Sequence, residues 1–236
     1  MRLFVYDTEG LEDELDDFTE ATGVEHIHLD AAWSKSKGLD HASPKSLMAA
    51  MKLVAKEPDS MLFIDSGTDC CEQPREEYAA RNPGKKIAYG MVDMSMAPIV
   101  RTLKDAQFHW VMTFRQSDER DEVNGEEQVV GKKGKASKDM QYVARIKVHC
   151  TRPHSKSNHS VKVEIRDQRG LGDKPPIRLA DPKVADLMPL VERYSPGGKR
   201  KLRAHLFGRE ATGKSGTALR LLIALARQLK GDSPSE

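Results

Sequence analysis

The segment 208–215, Gly-Arg-Glu-Ala-Thr-Gly-Lys-Ser, constrains this chain more than any other stretch, because it matches G-x-x-x-x-G-K-[ST] at every position. An apolar run at 202–207 precedes it. An amphipathic stretch over 214–230 follows, with Leu219, Leu222, Ile223 and Ala226 on one stripe. The pattern reads strand, glycine turn, helix. In such a turn the glycines let backbone N–H groups curl around an anion, and the helix N-terminus adds its positive dipole end. The expected phosphate cradle runs through Gly208, Arg209, Glu210, Ala211, Thr212, Gly213, Lys214, Ser215 and Gly216. Lys214 has the charge and reach for terminal phosphates, and the Ser215 hydroxyl is a candidate Mg²⁺ ligand.

Its position is unusual. A phosphate loop normally opens its domain and takes carboxylates from strands that follow it. Here 236 − 215 = 21 residues follow Ser215, enough for one helix and a polar tail. The carboxylates must come from upstream.

Upstream, strands and helices alternate. Apolar β-rich runs predict strands at 2–7, 25–29, 60–65 and 109–114; helical periodicity predicts helices at 11–21, 44–56, 91–105 and 182–194. Residues 33–44 read as a polar loop, 66–69 as a Ser-Gly-Thr-Asp loop, and 115–139 as a mobile loop without apolar periodicity. The segments 143–149 and 160–166 alternate apolar and polar residues, as half-exposed antiparallel strands do. Such alternation predicts an α/β fold with a mainly parallel sheet flanked by helices. At 236 residues a single domain over 1–236 is expected. Its parts are an acidic half (1–115), a basic loop with antiparallel strands (116–169), and the strand, phosphate loop and helix of 200–236.

Composition narrows the setting. Hydrophobic residues are 38% and charged residues 31%, and no apolar run reaches the ~18–20 residues that span a bilayer, so no membrane association is expected. The start, MRLFVYDTEG, lacks the basic flank and apolar stretch of an export signal. Three cysteines cannot build a disulfide framework, and a reducing, cytoplasmic location is the expectation. The net charge of +2 hides an uneven distribution: 9–20 carry seven carboxylates and no base, whereas 131–169 are strongly basic. Lys132, Lys133, Lys135 and Lys138 in that stretch are candidate contacts to a nucleic-acid backbone.

Joining the C-terminus to the N-terminus gives strand, phosphate loop, helix, short link, then RLFVYDTEG. In that order the chain resembles the phage-encoded RecA-like ATPases of recombination and replication, circularly permuted so that the Walker A motif is C-terminal. The resemblance covers roughly 1–180 and 200–236. It implies ATP and Mg²⁺ as cofactors. Asp7-Thr8-Glu9-Gly10 resembles the family's acidic motif, with Glu9 as the base that polarises water. Met61-Leu-Phe-Ile-Asp65-Ser66 resembles its metal-side strand, with Asp65 holding Mg²⁺ through the water shell. His109–Arg115 resembles the next core strand, with Thr113 as a polar sensor near the γ-phosphate. Residues 116–139 match the DNA-facing loop in position. The segment 163–170 resembles a K-x-R-x-G strand end whose basic residues reach a neighbouring subunit's nucleotide. Asp167 stands where the lysine belongs, so Arg169 carries over, with Arg166 as substitute. Self-association as a ring or filament is implied, and so is close approach of the two termini.

Other constellations are weaker. Cys150, His154 and His159 are spaced C-x3-H-x4-H and lack the paired C-x2-C of persuasive zinc sites; a histidine-rich basic loop accounts for them better. His26 and His28 suit a strand edge, and Trp110 suits a core. Two function classes emerge: an ATPase acting on DNA, single-stranded DNA first, or an ATP-driven motor or switch acting on a protein partner in packaging or assembly. A kinase is a lesser option, for want of an acceptor site or lid.

Overall fold

The computed structural model describes all residues except 58, 86–88, 124–125, 137, 153–159, 169–176, 197–198, 210–211 and 232–236. The side chains of 12–13, 89, 91–92, 119–123, 126–127, 130–132, 138, 141 and 166–168 also lie outside the description. In chain order the elements are β1 (Leu3–Asp7), α1 (Glu12–Thr22), β2 (His26–Leu29), α2 (Ala31–Ser36), α3 (Pro44–Val54) and β3 (Met61–Asp65). Next come α4 (Gly67–Arg81), α5 (Tyr89–Asp105), β4 (His109–Val123), β5 (Glu126–Gly134), α6 (Lys138–Val143) and β6 (Ile146–Thr151). The last are β7 (Lys162–Gln168), β8 (Ile177–Ala180), α7 (Val184–Tyr194), β9 (Arg203–Gly208) and α8 (Lys214–Lys230).

One sheet runs in the order β2-β1-β3-β4-β9-β6-β7-β8, with β5 paired to β4 alone. From β2 to β6 every neighbour is parallel; β7 and β8 close the far side antiparallel. The fold is therefore α/β, a mostly parallel mixed sheet flanked by helices. The strand carrying Thr113 lies between the one carrying Asp65 and the one feeding the phosphate loop.

Both faces of the central strands are covered, so their sequences are continuously apolar rather than alternating. Leu3 and Val5, Met61 and Phe63, and Val111 point to one core, built with α1, α7 and α8. Phe4 and Tyr6, Leu62 and Ile64, and Trp110, Met112 and Phe114 point to the other, built with α3, α4, α5 and α6. The period of two within an unbroken apolar run sorts the residues between the layers. Trp110 is core, as expected, and donates its indole N–H to the Leu103 carbonyl at 3.2 Å.

Three expectations are corrected. The stretch 115–139 is not simply a loop: β4 continues to Val123 and β5 returns antiparallel, forming a two-stranded ribbon. A ribbon with no sheet on either side has no face to bury, so its sequence carries no apolar alternation. Its register sets Asp118 opposite Lys132 and Ser117 opposite Lys133. The supposed loop at 66–69 is the first turn of α4, a helix with few apolar residues and an internal Pro74. And β6, expected as antiparallel, pairs antiparallel with β7 but parallel with β9. The short α2, α6 and β8 also went unforeseen.

α8 packs on α1 and brings Lys230 beside the start of the chain. Lys230 Nζ donates to the Thr22 carbonyl at 2.6 Å, and Met1, Arg2, Leu229 and Lys230 line one cavity. Residues 231–236 number six and can span at most about 20 Å. A chain cut between Gly198 and Lys199, with Glu236 joined directly to Met1, is expected to fold with an unchanged circular-dichroism spectrum and a Tm within about 5 °C of the parent. Failure to fold would place the ends farther apart than that cavity implies.

Candidate functional site

Parallel register decides which side chains meet. Asp7 pairs with Asp65, Ile64 with Met112, Thr113 with Leu206, and Arg115 with Gly208. The polar C-terminal residues of β1 and β3, the middle of β4 and the end of β9 thus lie along one edge of the sheet. The turn into α8 sits there too. Gly208 is required because a Cβ would strike the Cys150 carbonyl and Thr212 Oγ1. Gly213 caps α8 at φ 74°, where a Cβ would also sit 2.7 Å from Val161 Cγ2.

Asp65 is the centre of the site. It is fully buried; Ser215 Oγ donates to its Oδ2 at 2.6 Å, and Thr113 Oγ1 donates to its Oδ1. Residues 65, 113 and 215, from three separate elements, thereby share one carboxylate. Burial pushes the Asp65 carboxyl up to about 6; the two hydroxyl donors and the charge of Lys214 oppose that push, and the charge of Glu9 adds to it. Glu9 and Lys214 are both close enough to act on Asp65 electrostatically. The Asp65–Ser66 peptide is cis, and the buried Ser66 Oγ has no hydrogen-bond partner among the described residues.

Lys214 is the first residue of α8 and only 5% exposed. Its Nζ donates to the Arg209 carbonyl at 3.1 Å, and no described carboxylate forms an ion pair with it. A buried ammonium held by one carbonyl, at the positive end of a helix, is a fitting partner for an anion. Thr212 Oγ1 donates to the same carbonyl at 2.7 Å, bracing the turn. Glu210 and Ala211 lie outside the described residues. Arg209 is exposed, and Gly216 sits in the first turn of α8.

Glu9 is held from a different direction. Arg115 Nε lies 3.5 Å from its carboxylate, and Arg115 also pairs with Asp69 at 3.1 Å. Thr8 Oγ1 donates to Asp69 at 2.8 Å and accepts from Ser66 N at 2.8 Å, tying the Glu9 turn to the end of β3. Asp7, beside it in sequence, is scaffold. Its carboxylate accepts from the backbone N–H of Glu9 (2.9 Å), Gly10 (2.8 Å) and Leu11 (2.8 Å), and from His28 Nε2 (2.8 Å). Burial pushes the Asp7 carboxyl up, but His28 and these three N–H groups outweigh it and leave the net value below the ordinary one. His41 Nε2 donates to the Asp7 carbonyl at 2.7 Å.

Arg115, Asp69, Thr8 and Asp7 were not among the expected site residues. Asp7 had a readable signal, since an Asp before Thr-Glu-Gly favours a side-chain-to-backbone turn. Arg115 directly follows the β-rich run 109–114, but nothing in the spacing says that it meets Glu9.

The basic candidates lie on or beside the β4–β5 ribbon rather than in a loop. Lys135 pairs with Glu72, and its backbone N–H bonds the Arg115 carbonyl at 2.6 Å, so it sits at the base of the ribbon beside the site. Lys133 is half-buried opposite Ser117. The side chains of Lys132 and Lys138 lie outside the description. Beyond the base, residues 118–127 carry six carboxylates and one arginine. Arg169 lies outside the described residues; Arg166 is described in backbone only, within β7. Gln168 pairs with Ile146, which is level with Ala204 at the start of β9, so β7 ends toward the edge opposite Gly208. His154 and His159 lie outside the described residues. Cys150 is buried, and no group of three potential metal-ligating His, Cys, Asp or Glu side chains occurs among the described residues. His26 and His28 do lie on the edge strand β2. No helix among the described residues is long and apolar enough to cross a membrane.

No family model, curated protein or solved structure matches this chain.

The raised Asp65 value has a testable sign. The folded chain keeps this proton up to about pH 6, whereas the unfolded chain releases it near the ordinary carboxylate value of about 4. Between those values the folded state binds more protons, so stability falls as pH rises through the window and the full penalty applies above it. Asp65→Asn lacks the titration. Its stability relative to wild type, from urea unfolding, should improve by about 2 kcal/mol between pH 4 and pH 7. A difference independent of pH would mean that Asp65 ionises as an exposed carboxylate does.

Proposed function

We propose that the chain is a magnesium-dependent ATPase, a circularly permuted relative of the RecA-like motors, whose hydrolysis is coupled to single-stranded DNA. The observation that carries this reading is the pairing of a buried, carboxylate-free Lys214 with the Ser215–Asp65–Thr113 bridge at one sheet edge. The residues fit the group they would hold. The loop 208–216 and the start of α8 would cradle phosphates with N–H donors, and Lys214 would add charge at the β- and γ-phosphates. Ser215 Oγ and, through water, Asp65 would hold Mg²⁺ by hard oxygen donors. When bound, ATP with Mg²⁺ supplies the phosphoanhydride that is cleaved.

The chain's own groups divide the rest of the work. Glu9, steadied by Arg115 and by the turn that Asp7 holds, orients the attacking water and receives its proton at a carboxylate oxygen. Thr113 reports on the phosphate side through its bond to Asp65. Arg115 is a cation in the same subunit that can meet charge developing on the transferred group. A further contribution from Arg169 or Arg166 would come from a neighbouring subunit in a ring or filament, because β7 ends toward the opposite sheet edge.

One observation favours a second reading, a motor or switch on a protein partner. The part of the ribbon farthest from the sheet, 118–127, is acidic by sequence, which repels a phosphate backbone and attracts a basic protein surface. Phosphate release measured with and without single-stranded DNA separates the two. Stimulation by DNA that collapses at high salt supports the first reading; a rate indifferent to DNA supports the second.

Within either reading the site makes the same forecast. Lys214→Ala should lose nucleotide binding in a titration with a fluorescent ATP analogue. Glu9→Gln should bind nearly as wild type while turnover falls by ~10²-fold or more. Arg115→Ala should lower turnover more than affinity. Undiminished phosphate release by Glu9→Gln would place the base elsewhere.

A further inference from the structure

The edge of the sheet opposite the phosphate loop has its own chemistry. A cavity of about 660 Å³ lies at the starts of β9 and β6, roofed by the ends of α5 and α7 and by α6. Four cations line it, Lys104, Arg145, Arg200 and Arg203, against one carboxylate, Asp139. None of the four makes an ion pair with a described carboxylate. Arg145, just before β6, and Arg203, the first residue of β9, are neighbours, with Arg145 N donating to the Arg203 carbonyl at 2.9 Å.

Arg203 is the cation of the four with a buried, unsatisfied nitrogen. Its Nε is buried with no hydrogen-bond partner among the described residues, and its terminal nitrogen reaches only the Ala106 carbonyl, at 3.4 Å. Burial, and then the charge of Arg145, pull its guanidinium below the ordinary value, with Asp105 opposing. Clustered cations that repel one another at the wall of a cavity call for an anion. The cavity exceeds what one phosphate fills. Tyr142, 52% exposed, stands at its rim with its ring within 5.5 Å of Lys147 Nζ. Several cations and an accessible aromatic ring together match a sugar–phosphate strand with unpaired bases better than a lone anion.

We propose that this cavity is a binding site for single-stranded nucleic acid, in which Arg145, Arg200, Arg203 and Lys104 hold phosphates and Tyr142 stacks a base. It lies at the sheet edge away from the phosphate loop, and it stands whether or not that loop hydrolyses ATP.

The experiment measures fluorescence anisotropy of labelled oligo-dT and oligo-U of about 16 nucleotides, at several salt concentrations. The double variant Arg145→Glu/Arg200→Glu should bind both at least ~10-fold more weakly and flatten the salt slope by about 1.4, two phosphate contacts at ~0.7 each. Tyr142→Ala, an exposed change that leaves every cation in place, should weaken binding roughly tenfold without altering the salt slope, and it serves if the charge reversals fail to fold. Lys132→Glu/Lys133→Glu at the ribbon should stay within about twofold of wild type, and Lys214→Ala should bind as wild type. The proposal is overturned if wild type binds neither strand at low salt, or if the cavity variants bind undiminished. It is equally overturned if the loss appears instead in the ribbon variant or in Lys214→Ala. A preference between oligo-dT and oligo-U within a supporting result says which strand the site takes.

Discussion

A carboxylate with no access to water organises one end of this molecule. Asp65 ends a strand buried on both faces, and its two oxygens accept hydroxyl bonds from Ser215 and Thr113. Each bond comes from a different element, so the carboxylate works as a pin between α8, β3 and β4. The pin exists only because β3 and β4 run parallel in a register that sets Asp65 level with Thr113, and because the next strand, β9, delivers the turn into α8. Burying the group raises its proton affinity, and two hydroxyls cannot fully replace the water it has lost. A cation held by Asp65 and Ser215 would relieve that cost.

The rest of the edge is layered around the pin. Asp7 spends its carboxylate on the turn that follows β1, and that turn aims Glu9 at the site. Arg115, one register step beyond Phe114, links Glu9 to Asp69 and so to α4. At the opposite edge Arg145 and Arg203 stand at the starts of two adjacent strands, in one cavity with Lys104 and Arg200. A parallel sheet makes such a division natural, because all strand ends of one kind lie on one side.

Much of this architecture was readable along the chain. The central strands announce themselves as short apolar runs because both of their faces are buried, and α3 and α8 by their apolar stripes. α4 did not, since it buries little beyond Cys70, Cys71 and the small residues of its first turn. The ribbon did not either, since a strand pair open on both sides needs no apolar period. The loop 208–216, Asp65, Thr113 and Glu9 were readable as single residues. Arg115, Asp69 and Thr8 were not, because each acquires a role only through a partner 46 to 106 positions away.

What the residues determine alone is local: glycine where a Cβ would strike Cys150 or Val161, an apolar period of two within buried strands, a lysine opening a helix. Those features depend on backbone sterics and solvent exclusion, which act over a few positions. What only the tertiary structure decided is which strand ends lie side by side. The order β1-β3-β4-β9 brings residues 9, 65, 113 and 214 into one electrostatic neighbourhood and sends residues 145 and 203 to the other edge. No local pattern encodes that order, because it is set by how the whole sheet buries both of its faces.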